Sequence, residues 1–152
     1  MALPDLPAGD LAFILSAEAA AAFDELTRSG RDDLMVRQIR NAWPNVFRAA
    51  RFIPAVEYLQ ANRIRTLLIE RMAQMMEGYD VYVSPSFGGN NLLVTNLTGH
   101  PCVVVPDGFR QENEPGSITF IGRLFDEATV LAVARAYQEA TDFHRQRPSG
   151  YR

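Results

Sequence analysis

The chain has 152 residues, 47% of them hydrophobic and 22% charged, the balance of one ordinary globular domain spanning residues 1–152. Its formal net charge of −3 and pI near 5.4 argue against a nucleic-acid partner. All 15 cationic side chains are arginine, so the chain cannot by itself hold a P-loop, a lysine Schiff base or serine–lysine hydrolase chemistry. A lone Cys102 excludes an internal disulfide, and with only His100 and His144 beside it no zinc cluster of ordinary spacing can be assembled. No metal or cofactor is expected. No apolar run approaches the ~20 residues of a membrane span, and the N-terminus lacks the basic start of a signal peptide, so a cytoplasmic protein with no membrane partner is expected.

The first section, to about Gly78, reads as helical. Leu11, Ile14, Leu15, Ala19, Ala22, Phe23 and Leu26 follow the rhythm of one buried face, with Asp10 as N-cap and Gly30 as the stop. Residues 31–53 form a less regular helical stretch interrupted at Trp43-Pro44. A long helix follows from Ala55 to Gly78, with Val56, Leu59, Ile64, Leu67, Leu68, Met72, Met75 and Met76 as an adaptable, methionine-rich core stripe. Glu57, Arg63, Glu70 and Glu77 occupy its other face.

After Gly78 the period changes. Val81–Val83 is a short strand closed by Ser84-Pro85, and Ser86 to Gly99 reads as loop with one short element at Leu92–Val94. The β-branched run Cys102–Val105, ended by Pro106, predicts a strand buried on both faces. Asp107 to Gly116 is a polar turn, and Ile118–Ile121 returns as the second strand of a hairpin. Asp126 caps a last helix with Val130, Val133, Ala134, Tyr137 and Ala140 on its apolar face, and residues 145–152 form a frayed tail. The class is α+β: helices, a small mixed sheet, then a C-terminal helix.

Several groups invite chemistry. His100 and Cys102, two apart, would point the same way on a strand, and a thiolate beside imidazole is reactive; a cysteine opening a β-branched run is more simply core. Ser84 and Ser86 lie in a polar loop at the carboxyl end of a strand, where open sheets bind ligands, but no lysine supplies a base and nothing in the spacing brings His100 near. Between Asp80 and Asp107 there is no Asp, Glu, Lys or Arg, so a pocket lined by this stretch would suit an uncharged amide or aromatic ligand. Asp126, Glu127, Glu112 and Glu114 are explained by helix-dipole compensation and solubility. Arg63 and Arg65 are expected to reach solvent or to pair with Glu57 or Glu70.

The run Asn96-Leu97-Thr98-Gly99-His100-Pro101, followed by Val103-Val104-Val105-Pro106 and Gly108-Phe109, resembles the carboxy-terminal part of the amidase signature family. Phe120-Ile121-Gly122-Arg123-Leu124-Phe125-Asp126-Glu127 resembles the family's glycine-containing strand entering its last helix. Tyr58-Leu59, Arg63, Arg65 and the Asp80–Pro85 strand are also similar, so the resemblance runs from about residue 10 to residue 148.

The resemblance implies a piece of a larger α/β/α amide hydrolase or amidotransferase. The family's catalytic serine, its second serine in a cis peptide and its lysine base belong to motifs that precede the matched region. No position here corresponds to them, so the chain has no catalytic residue of its own and is expected to be inert alone. Its implied partners are the amino-terminal half of the fold and, in the whole enzyme, a small amide. Phe87, Asn90, Asn91 and Thr98 are the expected substrate-lining residues. The neutral segment Phe87–Thr95 leans against the glutamine-using subclass, whose substrate is charged. The competing reading is a free-standing, non-catalytic binding module whose open strand edges favour a homodimer.

Overall fold

The computed structural model describes residues 2–110 and 113–150. They form two compact units, one of Pro7–Leu67 and one of residues 2–6 with 68–150. Among the described residues no helix is long and apolar enough to cross a membrane.

In the first unit a 3-10 turn (Ala8–Ala12) leads into α1 (Phe13–Ala22) and then α2 (Asp24–Arg28). The single helix expected from Asp10 to Gly30 is therefore broken. Asp10 is not its cap: it lies inside the 3-10 turn, where its N–H donates to the Pro7 carbonyl at 3.0 Å. The second break falls at Phe23, whose backbone leaves helical geometry and whose ring stacks on Phe47 with centroids 5.2 Å apart. Leu11, Ile14 and Ala20 are buried, whereas Leu15 and Phe23, expected on the same stripe, are exposed.

A second 3-10 turn (Arg31–Leu34) precedes α3 (Trp43–Ala50). Trp43-Pro44 starts this helix where an interruption was expected, because proline lacks only an N–H that the first turn leaves unused. Ala20, Phe47 and Ala50 form the unit's core, with Ala19, Leu26, Met35 and Ile53 against it. The buried Asp32 carboxylate pairs with Arg48 at 2.7 Å, and the Asp32 carbonyl accepts from the Gln38 amide at 2.9 Å.

Helix α4 (Ala55–Met76) buries Ala61, Leu68, Met72 and Met76, but Val56, Leu59 and Leu67 are exposed. Counting back from Met76 in steps of four and seven gives the buried row, and those three residues fall off it. The Met-rich end of the stripe is core as expected; the first half is not.

The second unit continues with β1 (Val81–Pro85), α5 (Asn91–Thr98), β2 (Cys102–Phe109), β3 (Pro115–Gly122) and α6 (Glu127–Thr141). The strand order is β1-β3-β2 and both pairings are antiparallel, so the α+β class holds but the sheet is not mixed. Phe120 of β3 lies between Val83 and Val103. Because β3 takes the centre, β2 is an edge: Val105 is buried, Val104 is 54% exposed, and the two-faced burial expected of 102–105 does not occur. The strand also runs past Pro106, with a register shift before Phe109, since an edge tolerates both a missing N–H and a bulge.

The expected loop at 86–99 is largely α5. Its Asn and Gly content mimics turn chemistry, but Val94 and Leu97 are buried and Thr95 and Thr98 return their hydroxyls to carbonyls four residues back. Gly99, at φ 80°, closes the helix by donating its N–H to the Thr95 carbonyl at 2.8 Å.

Helix α6 packs Val130 and Ala134 on Val105 and Phe120, with Val81, Val103, Ile118 and Tyr137 around them. Val133 and Ala140, expected on this face, are exposed. Asp126 stands at the N-cap position, yet its carboxylate accepts the Thr129 hydroxyl (2.7 Å) in place of a backbone N–H. Beyond α6 a 3-10 turn (Phe143–Arg145) follows, and Asn113 donates to the Ser149 hydroxyl at 2.8 Å. Of the tail expected to fray, residues 151 and 152 lie outside the described residues.

Close packing of α6 on β3 is set by Gly122, where an added Cβ would stand 2.1 Å from the Val130 Cγ2. Gly122→Ala is therefore expected to cost about 1–3 kcal/mol of stability. Urea unfolding measures it, and a variant as stable as the parent would show that α6 shifts freely.

Candidate functional site at the end of strand β1

Strand β1 delivers Ser84 and Pro85 to a turn that enters α5, and three buried polar groups fix that turn. The Ser86 hydroxyl oxygen accepts from Ser117 (2.8 Å) and Thr119 (3.0 Å), both on β3. Asn91, buried at the first position of α5, accepts the Tyr82 hydroxyl on Oδ1 at 2.7 Å. Burial first, and then the neighbouring Cys102, push the Tyr82 phenol up to about 12, so it remains a donor at ordinary pH. That donor holds the Asn91 amide with Oδ1 toward Tyr82, and its Nδ2 meets no hydrogen-bond partner among the described residues.

A cavity of about 320 Å³ lies beside these groups, lined by Leu3, Tyr79, Tyr82, Ser84, Gly88 and Asn91. None of these carries a formal charge at neutral pH. The walls offer hydroxyls, one amide and aromatic surface, which suits a neutral ligand.

Of the four expected substrate-lining residues, Asn91 is in the cavity wall. Phe87 is 90% exposed and Asn90 is exposed, both in the turn before α5. Thr98 is at the opposite end of α5, buried and bonded to His100. Sequence reading missed Tyr79 and Tyr82, because a tyrosine among valines reads as strand filler. The signal was a hydroxyl that burial obliges to find a partner.

Thr98 and His100 form a defined pair. The Thr98 hydroxyl has one proton, donated to the Val94 carbonyl at 2.9 Å, so at its 2.8 Å contact with the His100 Nδ1 it must accept. The imidazole thus carries its proton on Nδ1 and a lone pair on Nε2. Burial lowers the His100 pKa and keeps the ring neutral.

The cysteine–histidine reading does not assemble. The Cys102 Sγ contacts the backbone carbonyl of His100 at 3.5 Å, while the His100 ring is engaged by Thr98. Cys102 is exposed on edge strand β2 where a core position was expected, and partial desolvation still pushes its thiol up, opposed by the Thr95 hydroxyl. The Ser84 hydroxyl donates to the Pro85 carbonyl at 3.2 Å, and among the described residues no base is bonded to Ser84 or Ser86. Arg63 is exposed to solvent, as one of its two expected alternatives had it, and its guanidinium donates to Gln60. Asp126 is bonded to Thr129, and Glu112 lies outside the described residues. Among those residues no group of three or more His, Cys, Asp or Glu is placed to hold a metal ion.

No family model matches the chain. A crystal structure of an amidase superposes with a TM-score of 0.76 at 16% identity, covering 92% of this chain and 37% of that one. A bacterial aryl acylamidase belonging to the amidase signature enzymes gives 0.67 at 17% identity, covering 95% and 37%. The fold is that of a portion of an amidase-signature enzyme. The glutamyl-tRNA(Gln) amidotransferase of Oceanobacillus iheyensis contains a polypeptide 34% identical to this chain over 110 residues, a match that covers 60% of this chain and 22% of that polypeptide. The chain spans about a fifth of the length of this curated relative.

The neutral His100 carries a pH signature. Its folded-state pKa lies below the ordinary 6.5, so on acidification the unfolded chain takes up the proton first. Stability is expected to be independent of His100 above pH 6.5 and to fall as pH drops below it toward the folded pKa. His100→Gln should remove that part of the slope in urea titrations at stepped pH. An unchanged slope in the variant would locate the titrating group elsewhere.

Proposed function

We propose that this chain is the carboxy-terminal segment of an amide hydrolase acting on carbon–nitrogen bonds, in which it completes the sheet and supplies one wall of the substrate pocket. The observation that carries the reading is a combination: an amidase fold spanning 37% of an amidase chain, in a sequence with no lysine at any position. Such a segment has no means of running the family's serine–lysine chemistry and is inert alone. In the whole enzyme an amino-terminal half would bring the nucleophilic serine, the cis-peptide serine and the lysine that manages protons through it. Backbone N–H groups would hold the oxyanion.

Within this segment Asn91 is the residue that faces substrate, from the cavity wall. The substrate is a small uncharged amide. Curated relatives carry the name amidotransferase. The absence of any charged side chain between Asp80 and Asp107 favours a neutral amide over a charged one for this chain. The enzyme is assigned to the cytoplasm.

A second reading, a self-associating module without catalysis, is favoured by the open outer sides of the sheet, where Val83 and Val104 are 52% and 54% exposed. Light scattering on the purified chain separates the two. Aggregation supports the severed segment, whereas a monodisperse monomer or dimer supports the module.

Incubated with a panel of neutral aliphatic and aryl amides, the purified chain is expected to release no amine above the buffer rate. Hydrolysis that survives purification and disappears in Ser84→Ala or Ser86→Ala would overturn the inert-segment reading.

A further inference from the structure

The second unit contains another cavity, of about 410 Å³, lined by Ala73, Met76, Glu77, His100, Arg123 and Leu124. We propose that it is a binding site for a small neutral aromatic molecule bearing one O–H or N–H donor, of the phenol class, held by a hydrogen bond to the His100 Nε2. This site is separate from the β1 turn and does not depend on the amidase reading.

Thr98 fixes the His100 proton on Nδ1, so Nε2 presents a lone pair, and His100 is one of the residues that line the cavity. A neutral imidazole nitrogen in this state is an acceptor and selects a donor. The volume lies within the ~300–1,000 Å³ of small-molecule sites. Ala73, Met76 and Leu124 make the walls apolar, and a thioether such as that of Met76 is polarisable and packs well on an aromatic edge.

Charge selection follows from the two ions at the site. The Arg123 guanidinium is already engaged: Nε donates to the Tyr79 carbonyl at 3.0 Å, Nη2 to the Glu77 carbonyl at 3.4 Å, and Nη2 lies 3.2 Å from the Asp80 carboxylate. An anionic ligand would meet the imidazole lone pair and the Glu77 carboxylate. A cation would meet Arg123, and either ion would give up its hydration against apolar walls. A neutral donor meets none of these costs.

The cavity is also held in shape. Gly99 turns the chain from α5 toward His100, and the Gly122 N–H donates to the Pro101 carbonyl at 3.0 Å, anchoring that turn to the end of β3 beside Arg123 and Leu124.

The test is a fluorine NMR titration of the purified chain with 4-fluorophenol and with 4-fluoroanisole, which keeps the ring but lacks the donor. Saturable binding of the phenol, at least about tenfold tighter than the ether, is expected, the difference corresponding to one buried hydrogen bond. His100→Phe should abolish the preference. Because that change also removes the bond to Thr98, Ala73→Trp serves as a second variant. It fills the cavity from an exposed position on α4, and should weaken phenol binding at least about tenfold with an unchanged unfolding midpoint. Equal binding of the two probes, a titration that does not saturate, or parent-like binding by Ala73→Trp would each overturn the site.

Discussion

The second unit depends on β3 being paired along both sides at once. Val81–Pro85 run antiparallel along one side of it and Cys102–Phe109 along the other, and the residues from Phe120 to Gly122 are buried between them. One face of the sheet meets α6 through Phe120 and Val130, and the hydroxyls of Ser117 and Thr119 reach Ser86 at the start of the β1 turn. A strand in that position has little solvent to satisfy its polar groups. Its hydroxyls therefore organise the neighbouring turn, and its glycine sets the depth to which the helix can sit.

The polar chemistry of the unit is built by the same logic of fixed partners. Between Asp80 and Asp107 the sequence supplies no formal charge, so recognition falls to hydroxyls, amides and one imidazole, each oriented by a second group. Tyr82 orients Asn91, Val94 orients Thr98, and Thr98 orients His100. In each link a single proton is committed, so the direction of the next bond is determined. Oriented neutral dipoles in a partly buried site act on a ligand without the desolvation cost of an ion.

Much of this architecture is legible in the residues. The long helix from Ala55, the hairpin of the second and third strands and the final helix are periodic enough to read directly, and family-like runs such as Thr98-Gly99-His100-Pro101 mark the fold. The failures share a cause, which is that tertiary partners override local cues. The turn-like Asn and Gly content at 86–99 hides α5, whose Thr side chains bond within the helix once Val94 and Leu97 are buried. Cys102–Val105 reads as a central strand because its composition does not reveal that β1 joins β3 on the other side. Asp10 has the identity of a cap, but Pro7 begins a 3-10 turn ahead of it. At the candidate site Asn91 is visible as a polar residue in a neutral segment, whereas Tyr82 is hidden because its role arises only from a buried bond across nine positions of sequence.

The guanidinium of Arg123 gives the chain a kinetic asymmetry. It closes the carbonyls that follow α4, those of Glu77 and Tyr79, from 46 and 44 positions further along the sequence. Local bonds close the helix itself, with the Glu77 N–H on the Gln74 carbonyl at 3.3 Å and the Tyr79 N–H on the Met76 carbonyl at 3.1 Å, whereas the carbonyls of Glu77 and Tyr79 wait until the hairpin has brought residue 123 alongside. Closing a segment of that length carries an entropic cost that must be met before the bonds return anything. The segment that follows α4 and the hairpin are thereby tied together, so the bonds at residues 77 and 79 form only with the sheet in place.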